Sequence, residues 1–359
     1  TKIKDVDLII ELIGGAEGPA KKLVFNALKN KKHVVTANKA LIAKYGDQLS
    51  KIAEKNKVNL EFEASVCGGV PIIRSLKEGL IANKISKIYG IFNGTSNYIL
   101  SSMDKENKNF NEVLLKAKEL GYAESNPSAD LNGDDVSSKL KILSSLCFNS
   151  FLSDNIYVEG IKDIDAIDIS NANQLGYKIK LLGFAELLNN QIYQRVHPTL
   201  IKKESYVASI DGVLNAVIID GKPVGQSIIQ GEGAGPAATT SALISDISSI
   251  LRGNIKFPFG VSCTKRKSIS SYDLNKYLNS LYLRFEVNDK PGVLSQITES
   301  LAKKNISVER LIQIPDHKNK KASIIIITHK TNESDANKCL KSFKINKNIL
   351  KVPTRIRLF

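Results

Sequence analysis

The chain has 359 residues, 42% of them apolar by type, and a formal net charge of +15. That length suits two or three domains, each able to bury a core, and no run approaches the 18 uncharged apolar residues of a membrane span. The basic excess is nearly all Lys, scattered among Ile and Asn with no Trp and few aromatics between, which argues against a surface built to read nucleic acid.

The chain starts TKIKDVDLII, with charges where a secretory signal would be apolar and without an initiator Met, so its N-terminus reads as processed or missing. "VDLIIELIGG" (6–15) is a β-type run ending in Gly14-Gly15, and a helical stretch follows from Pro19 to Asn30. "KKHVVTANKALI" predicts a second strand over His33–Thr36 and a new helix start, and "NLEFEAS" (59–65) a third strand running into the Gly-rich turn "VCGGVP". Strands alternating with helices at this spacing predict a parallel α/β sheet. No GxGxxG follows the first strand, and "GEGAGP" (231–236) comes too late to be that fingerprint. If the sheet is a Rossmann sheet, these are its later strands, and a phosphate-binding half of about 70–80 residues lies upstream of Thr1.

Further on, 111–121 and 134–148 read as helices, while "YQRVHPTLI" and "VLNAVIIDGKPVGQSIIQG" alternate like antiparallel strands with Asp220-Gly221 as a hairpin turn. Residues 255–279 read as a polar linker. From Leu281 the pattern is strand, turn, helix, strand, and "ASIIIITH" adds another strand, a small α+β domain. Over 280–359 there are 16 Lys/Arg against 7 Asp/Glu, so +9 of the total charge lies there.

The four cysteines (Cys67, Cys147, Cys263, Cys339) form no CxxC pair, and four His add no zinc spacing. A reduced, cytoplasmic protein is the expectation. Candidate chemistry concentrates in "GYAESNPSADLNGDDVSSKL" (121–140), with Glu124, Asp130, Asp134, Asp135 and Lys139. Asp135 and Lys139 share a helix face. As an exposed i, i+4 pair they would add only about 0.2–0.5 kcal/mol. As the wall of a pocket with Glu124 and Asp130, they would hold an ammonium group and deliver a proton to an oxygen, and mutual repulsion would raise some carboxylate pKa values. Lys39 follows a parallel strand at a helix start, where the helix dipole disfavours a cation and where open α/β sheets bind ligands. Glu63 precedes a turn whose carbonyls suit a hard monovalent cation, or merely a tight Gly68-Gly69 turn. "NGTSNYIL" (93–100) is either a substrate-facing loop or an Asn-Gly turn with Thr/Ser capping the next helix. No Ser–His–Asp set emerges.

Taken in order, "ELIGG", "VVTANKALIA", "FEASVCGGVPII", "NGTSNYIL", "GYAESNPSADLNGDDVSSKL" and "GEGAG" resemble the homoserine dehydrogenases, and "VNDKPGVL" resembles the ligand loop of an ACT domain. The resemblance covers essentially the whole chain. It implies a truncated Rossmann-type nucleotide-binding half over 1–62, completed by about 233–254, a catalytic and dimerisation domain over 63–232, a linker over 255–279, and a ferredoxin-like ACT domain over 280–359. It also implies hydride transfer between NADP or NAD and the pair L-homoserine/L-aspartate 4-semialdehyde. Lys139, Asp135 and Lys39 are the implied catalytic residues, with Lys139 as general acid. Glu124, Asp130, Asp135 and Thr95 are implied for substrate, and Gly14, Gly15, Lys39, Gly121, Glu124 and Gly235 for cofactor. Glu63, Val66, Gly68 and Val70 are implied for Na+, and Asn288, Asp289, Pro291 and Gly292 for an effector, expected to be threonine. A homodimer or homotetramer is implied, with neither nucleic acid nor membrane as partner. Two other readings stand beside this one: a regulatory amino-acid-binding fragment without catalysis, and a different semialdehyde dehydrogenase using a catalytic Cys, for which Cys67 is the one cysteine in place. A fused aspartate kinase is excluded for this chain by its length, though not for an uncut gene.

Overall fold

The computed structural model describes residues 1–359. The chain opens with β1 (Leu8–Glu11), α1 (Pro19–Lys29), β2 (His33–Thr36), α2 (Lys39–Asn56) and β3 (Leu60–Glu61). These three strands pair in parallel in the order β1-β2-β3, the α/β layer that the alternation predicts. The third strand is shorter than the sequence suggests. The N–H of Glu63 goes to the Asp246 carboxylate instead of a neighbouring strand, and the chain turns into a 3₁₀ segment over Glu63–Ser65.

Next come α3 (Ile72–Arg74), β4 (Lys84–Ile91), α4 (Gly94–Glu106), α5 (Phe110–Glu119), α6 (Ser128–Asn132), α7 (Asp134–Phe148), β5 (Tyr157–Val158), α8 (Ala166–Gln174), β6 (Tyr177–Leu188), β7 (Gln191–Lys202), β8 (Leu214–Lys222), β9 (Gly225–Glu232) and α9 (Pro236–Leu251). The last elements are β10 (Leu278–Asn279), β11 (Leu281–Asn288), α10 (Val293–Ala302), β12 (Val308–Asp316), β13 (Lys321–Thr328), β14 (Thr331–Asn332), α11 (Glu333–Phe343) and β15 (Thr354–Leu358).

The chain divides into two compact units, one of 1–162, 181–197 and 209–272, the other of 163–180, 198–208 and 273–359. In the first, β4 pairs antiparallel with β6 and β8, and β8 with β9. The turn between β8 and β9 is not at Asp220-Gly221: both stay in the ladder, opposite Gln226 and Gly225. It falls at Pro223-Val224, because proline has no N–H to offer a partner strand. Helix α9 returns to the first sheet, where Leu243 and Ile250 bury against Val35. Part of the expected linker is anchored in this unit. Phe259 is buried against Phe62, and the buried Arg266 pairs with Asp47 at 2.6 Å and donates to the Ser150 carbonyl.

In the second unit, β11 lies between β13 and β15, and β12 flanks β13, all antiparallel. Helices α10 and α11 cover this sheet through Ile297, Leu301, Ala336 and Phe343, which pack on Leu283, Phe285 and Ile326. The β11-α10-β12-β13-α11-β15 order adds a second helix and a closing strand to the pattern legible in the sequence.

Candidate active site

Two strand ends and one helix bring the chemistry together. β2 ends in the "TANK" corner. There Asn38 caps α2 by accepting the Leu41 N–H at 3.0 Å and donates from its amide to the Gly15 carbonyl at 2.7 Å. Lys39 is therefore the first residue of α2. β4 ends at Ile91 and leads through Phe92 to Asn93, the cap of α4, which accepts the Ser96 N–H at 2.7 Å; Thr95 and Ser96 do not cap it. Asparagine reaches that amide from extended backbone, as an N-cap must. Gly133, at φ 89°, separates α6 from α7 and sets Asp135 and Lys139 on the inner face of α7.

Asp135, 5% exposed, is the hub. Its Oδ1 pairs with Lys39 Nζ at 3.0 Å and its Oδ2 with Lys139 Nζ at 2.9 Å. Asn93 Nδ2 bridges the acids, donating to Asp135 Oδ2 at 2.9 Å and Asp130 Oδ1 at 2.7 Å. Lys139 Nζ also donates to the Phe92 carbonyl at 2.7 Å. The Asp135–Lys139 pair is thus not the exposed ion pair its spacing alone would suggest. The unfavourable place of Lys39 at a helix start is offset by the Asp135 carboxylate.

The electrostatics sort the acids. Burial pushes Asp135 up, but Lys139 and Lys39 outweigh it and hold its carboxyl well below the usual range. Burial pushes Lys139 down, yet Asp135 and its neighbours carry it above an ordinary lysine. The pair is therefore a carboxylate beside an ammonium at neutral pH. Asp130 is raised, first by burial and further by the Asp135 charge, so repulsion adds to desolvation there. Nearby, burial pushes Cys67 up to about 11, leaving a neutral thiol that is a poor nucleophile. That removes the support for a cysteine-dependent dehydrogenase.

These groups line one cavity of about 670 Å³. Among the residues named from sequence, Lys39, Gly68, Thr95, Gly121, Glu124, Asp130, Asp135, Lys139 and Gly235 line it. Gly14, Gly15, Glu63, Val66 and Val70 do not. Thr95 spends its hydroxyl proton on the Tyr122 carbonyl at 2.7 Å. Sequence reasoning missed the bridging role of Asn93, and it missed Glu11. The Glu11 carboxylate is buried and accepts from the Ile13 and Gly14 N–H groups and from the Thr36 hydroxyl, which shapes the Gly14-Gly15 loop. The available signal was an acid closing an apolar strand just ahead of two glycines.

Gly14 and Gly15 hold φ of 81° and 77° with open space where a Cβ would stand, and Gly235 has φ 102° at the start of α9. Such left-handed, uncluttered backbone lets a large flat ligand come close. In the second unit, Asn288, Asp289, Pro291 and Gly292 line a separate cavity of about 390 Å³ with Gln313 and Ile324.

A parallel βα layer with open glycines and a cavity pairing a buried ammonium with carboxylates fit the class of Rossmann-type oxidoreductases that bind a nicotinamide nucleotide. Comparison with known proteins narrows this. Residues 1–63 match the homoserine dehydrogenase NAD-binding domain, 71–248 the homoserine dehydrogenase family, and 281–344 the ACT domain. A homoserine dehydrogenase of Neisseria gonorrhoeae is 42% identical over 99% of this chain and 83% of its own length. A crystal structure of the Thiobacillus denitrificans homoserine dehydrogenase aligns with TM-score 0.91 and 39% identity over 98% of this chain and 82% of that one. A hyperthermophilic archaeal homoserine dehydrogenase solved in complex with NADPH aligns with TM-score 0.61 and 28% identity over 70% of this chain and 73% of that one. The chain belongs to the homoserine dehydrogenases. None of its helices is long and apolar enough to cross a membrane.

Proposed function

We propose that the chain interconverts L-homoserine and L-aspartate 4-semialdehyde with NADP or NAD, and that the Lys39–Asp135–Lys139 array does the proton work. The single observation that carries this is one buried carboxylate holding two ammonium groups at 3.0 and 2.9 Å in the wall of one cavity. Gly14, Gly15, Gly121 and Gly235 would hold the nucleotide, whose nicotinamide would supply or accept the hydride. In the reducing direction, negative charge develops on the aldehyde oxygen, and Lys139, protonated by virtue of Asp135, donates to it and stabilises it. Lys39, 43% exposed at its side chain, binds the substrate and links the array to solvent. Glu124 and Asp130 take the substrate's ammonium, and Thr95 lines the same cavity.

The turn after Glu63 suits a monovalent cation held by the carbonyls of Val66, Gly68 and Val70. Both Glu63 carboxylate oxygens already accept N–H groups, from Ile73 and Arg74, and each keeps a second lone pair that could face a cation. The cavity at 288–292 is the seat of an amino-acid effector, threonine by preference. We assign 1–62, completed by about 233–254, to nucleotide binding, 63–232 to catalysis and subunit pairing in a homodimer or homotetramer, and 280–359 to regulation. Four free cysteines support a cytoplasmic setting.

The test is NAD(P)H oxidation with aspartate 4-semialdehyde, and nucleotide reduction with homoserine. Turnover in both directions is expected. A folded protein that binds threonine but turns over neither would make the regulatory reading the correct one.

Asp130 adds a pH prediction. Its folded pKa is raised, so the carboxylate that holds the ammonium is lost as pH falls through that raised value, and the KM for homoserine should climb on the acid side. Stability runs the other way. A raised acid contributes stability at low pH that is lost as pH rises through its folded pKa. Asp130→Asn should flatten both trends. A KM profile unchanged in that variant would remove Asp130 from ammonium binding.

A further inference from the structure

Two walls of the active-site cavity come from distant parts of the chain. The turn after β3 supplies Ala64, Ser65, Cys67 and Gly68, and the start of α9 supplies Gly235 and Thr239. Behind them, Glu61, Glu63 and Asp246 are buried together, at 5%, 4% and 2% exposure. Buried carboxylates cost several kcal/mol each unless paired and hydrogen-bonded. Glu61 has Lys77 at 2.8 Å, and Glu63 accepts the N–H groups that open α3. Asp246 is the acid that spans the gap. Its Oδ2 accepts the Glu63 N–H at 2.9 Å, its Oδ1 faces Arg74 Nη2 at 3.4 Å, and Arg74 also donates to Ser245 on the same helix.

Leu243 and Ile250, three and four residues away on that face of α9, are apolar and sit in the core with Val35. A leucine at 246 would continue the face without burying a charge. A carboxylate there is explained by the amide it satisfies. Asp246 does not itself line the cavity.

We propose that Asp246 is a positioning residue that ties α9 to the Glu63 turn and so fixes the spacing of the two cavity walls, Gly235 and Thr239 against Cys67 and Gly68. This rests on the cavity being the site of hydride transfer. When Asp246→Ala cuts the tie, the walls separate and binding weakens more than chemistry. Asp246→Asn keeps an oxygen for the Glu63 amide and preserves the spacing.

The experiment compares both variants with the unaltered chain in two readouts, steady-state kinetics and deuterium exchange over 61–70. For Asp246→Ala, KM for nucleotide and homoserine should rise roughly five- to tenfold with kcat within about twofold, as the loss of one buried hydrogen bond implies. Exchange over 61–70 should quicken by about tenfold while 281–344 is unchanged. Asp246→Asn should bring both readouts back to within about threefold. Unchanged exchange in Asp246→Ala overturns the proposal, and so does faster exchange with KM unaltered. If the alanine variant does not fold, Asp246→Asn decides alone, and quickened exchange over 61–70 overturns the tie. Exchange needs neither turnover nor cofactor. An unaltered chain that fails to oxidise homoserine would therefore defeat the functional reading, while exchange still decides whether Asp246 ties the walls.

Discussion

Lys139→Ala is expected to lower kcat for homoserine oxidation by roughly 10²–10⁴-fold, the usual worth of a positioned acid–base group, with a much smaller change in KM. Lys139 is 9% exposed and held by Asp135 and the Phe92 carbonyl, so no solvent lysine can replace it. Lys139→Arg should not rescue activity. A guanidinium with pKa above about 12 retains its proton when the reaction requires it to move. Retention of near-normal kcat in Lys139→Ala would transfer the acid role to another residue, with Lys39 first in line.

Asp135→Ala should be the most damaging substitution for the fold as well as for turnover. It leaves a buried ammonium at Lys139 without its counter-charge and Lys39 unpaired at a helix start, and breaking a buried pair from one side costs about 3–5 kcal/mol. Lys139 then loses the partner that raises it, burial prevails, and its pKa falls. Urea denaturation should show the loss directly. Asp135→Leu combined with Lys139→Met separates the two effects, because replacing the whole pair with apolar groups removes the uncompensated charge. The double variant should regain most of the lost stability and remain inactive. If it stays as unstable as the single variant, the pair's role in the fold is packing and not charge.

The order of the motifs made the family legible, and the i, i+4 spacing put Asp135 and Lys139 on one face. Lys39 was found by a conflict with the helix dipole, which the structure resolves by a carboxylate from another helix. What stayed hidden depends on contacts distant in sequence. Asn93 looks like a turn residue until α6 and α7 bring Asp130 and Asp135 to its amide. Glu11 is a charge in an apolar run until two N–H groups fold back onto it. The β8–β9 turn was misplaced because Asp-Gly is a strong local signal, yet register across the ladder depends on where a partner N–H runs out. Arg266 reads as one more basic loop residue, although it is buried against two aromatic rings, Phe151 and Phe259.

Gly183 has a consequence for the chemistry. A side chain there would overlap the Phe92 ring at 2.6 Å, so its bare backbone is what lets Phe92 sit where its carbonyl meets Lys139. An ammonium has three N–H bonds. The Phe92 carbonyl takes one and Asp135 takes another. The third alone is uncommitted, and if Lys139 is the proton donor its aim depends on a glycine of β6, the strand beside β4. A methyl group at 183 would leave every charged residue of the array in place and spoil the aim.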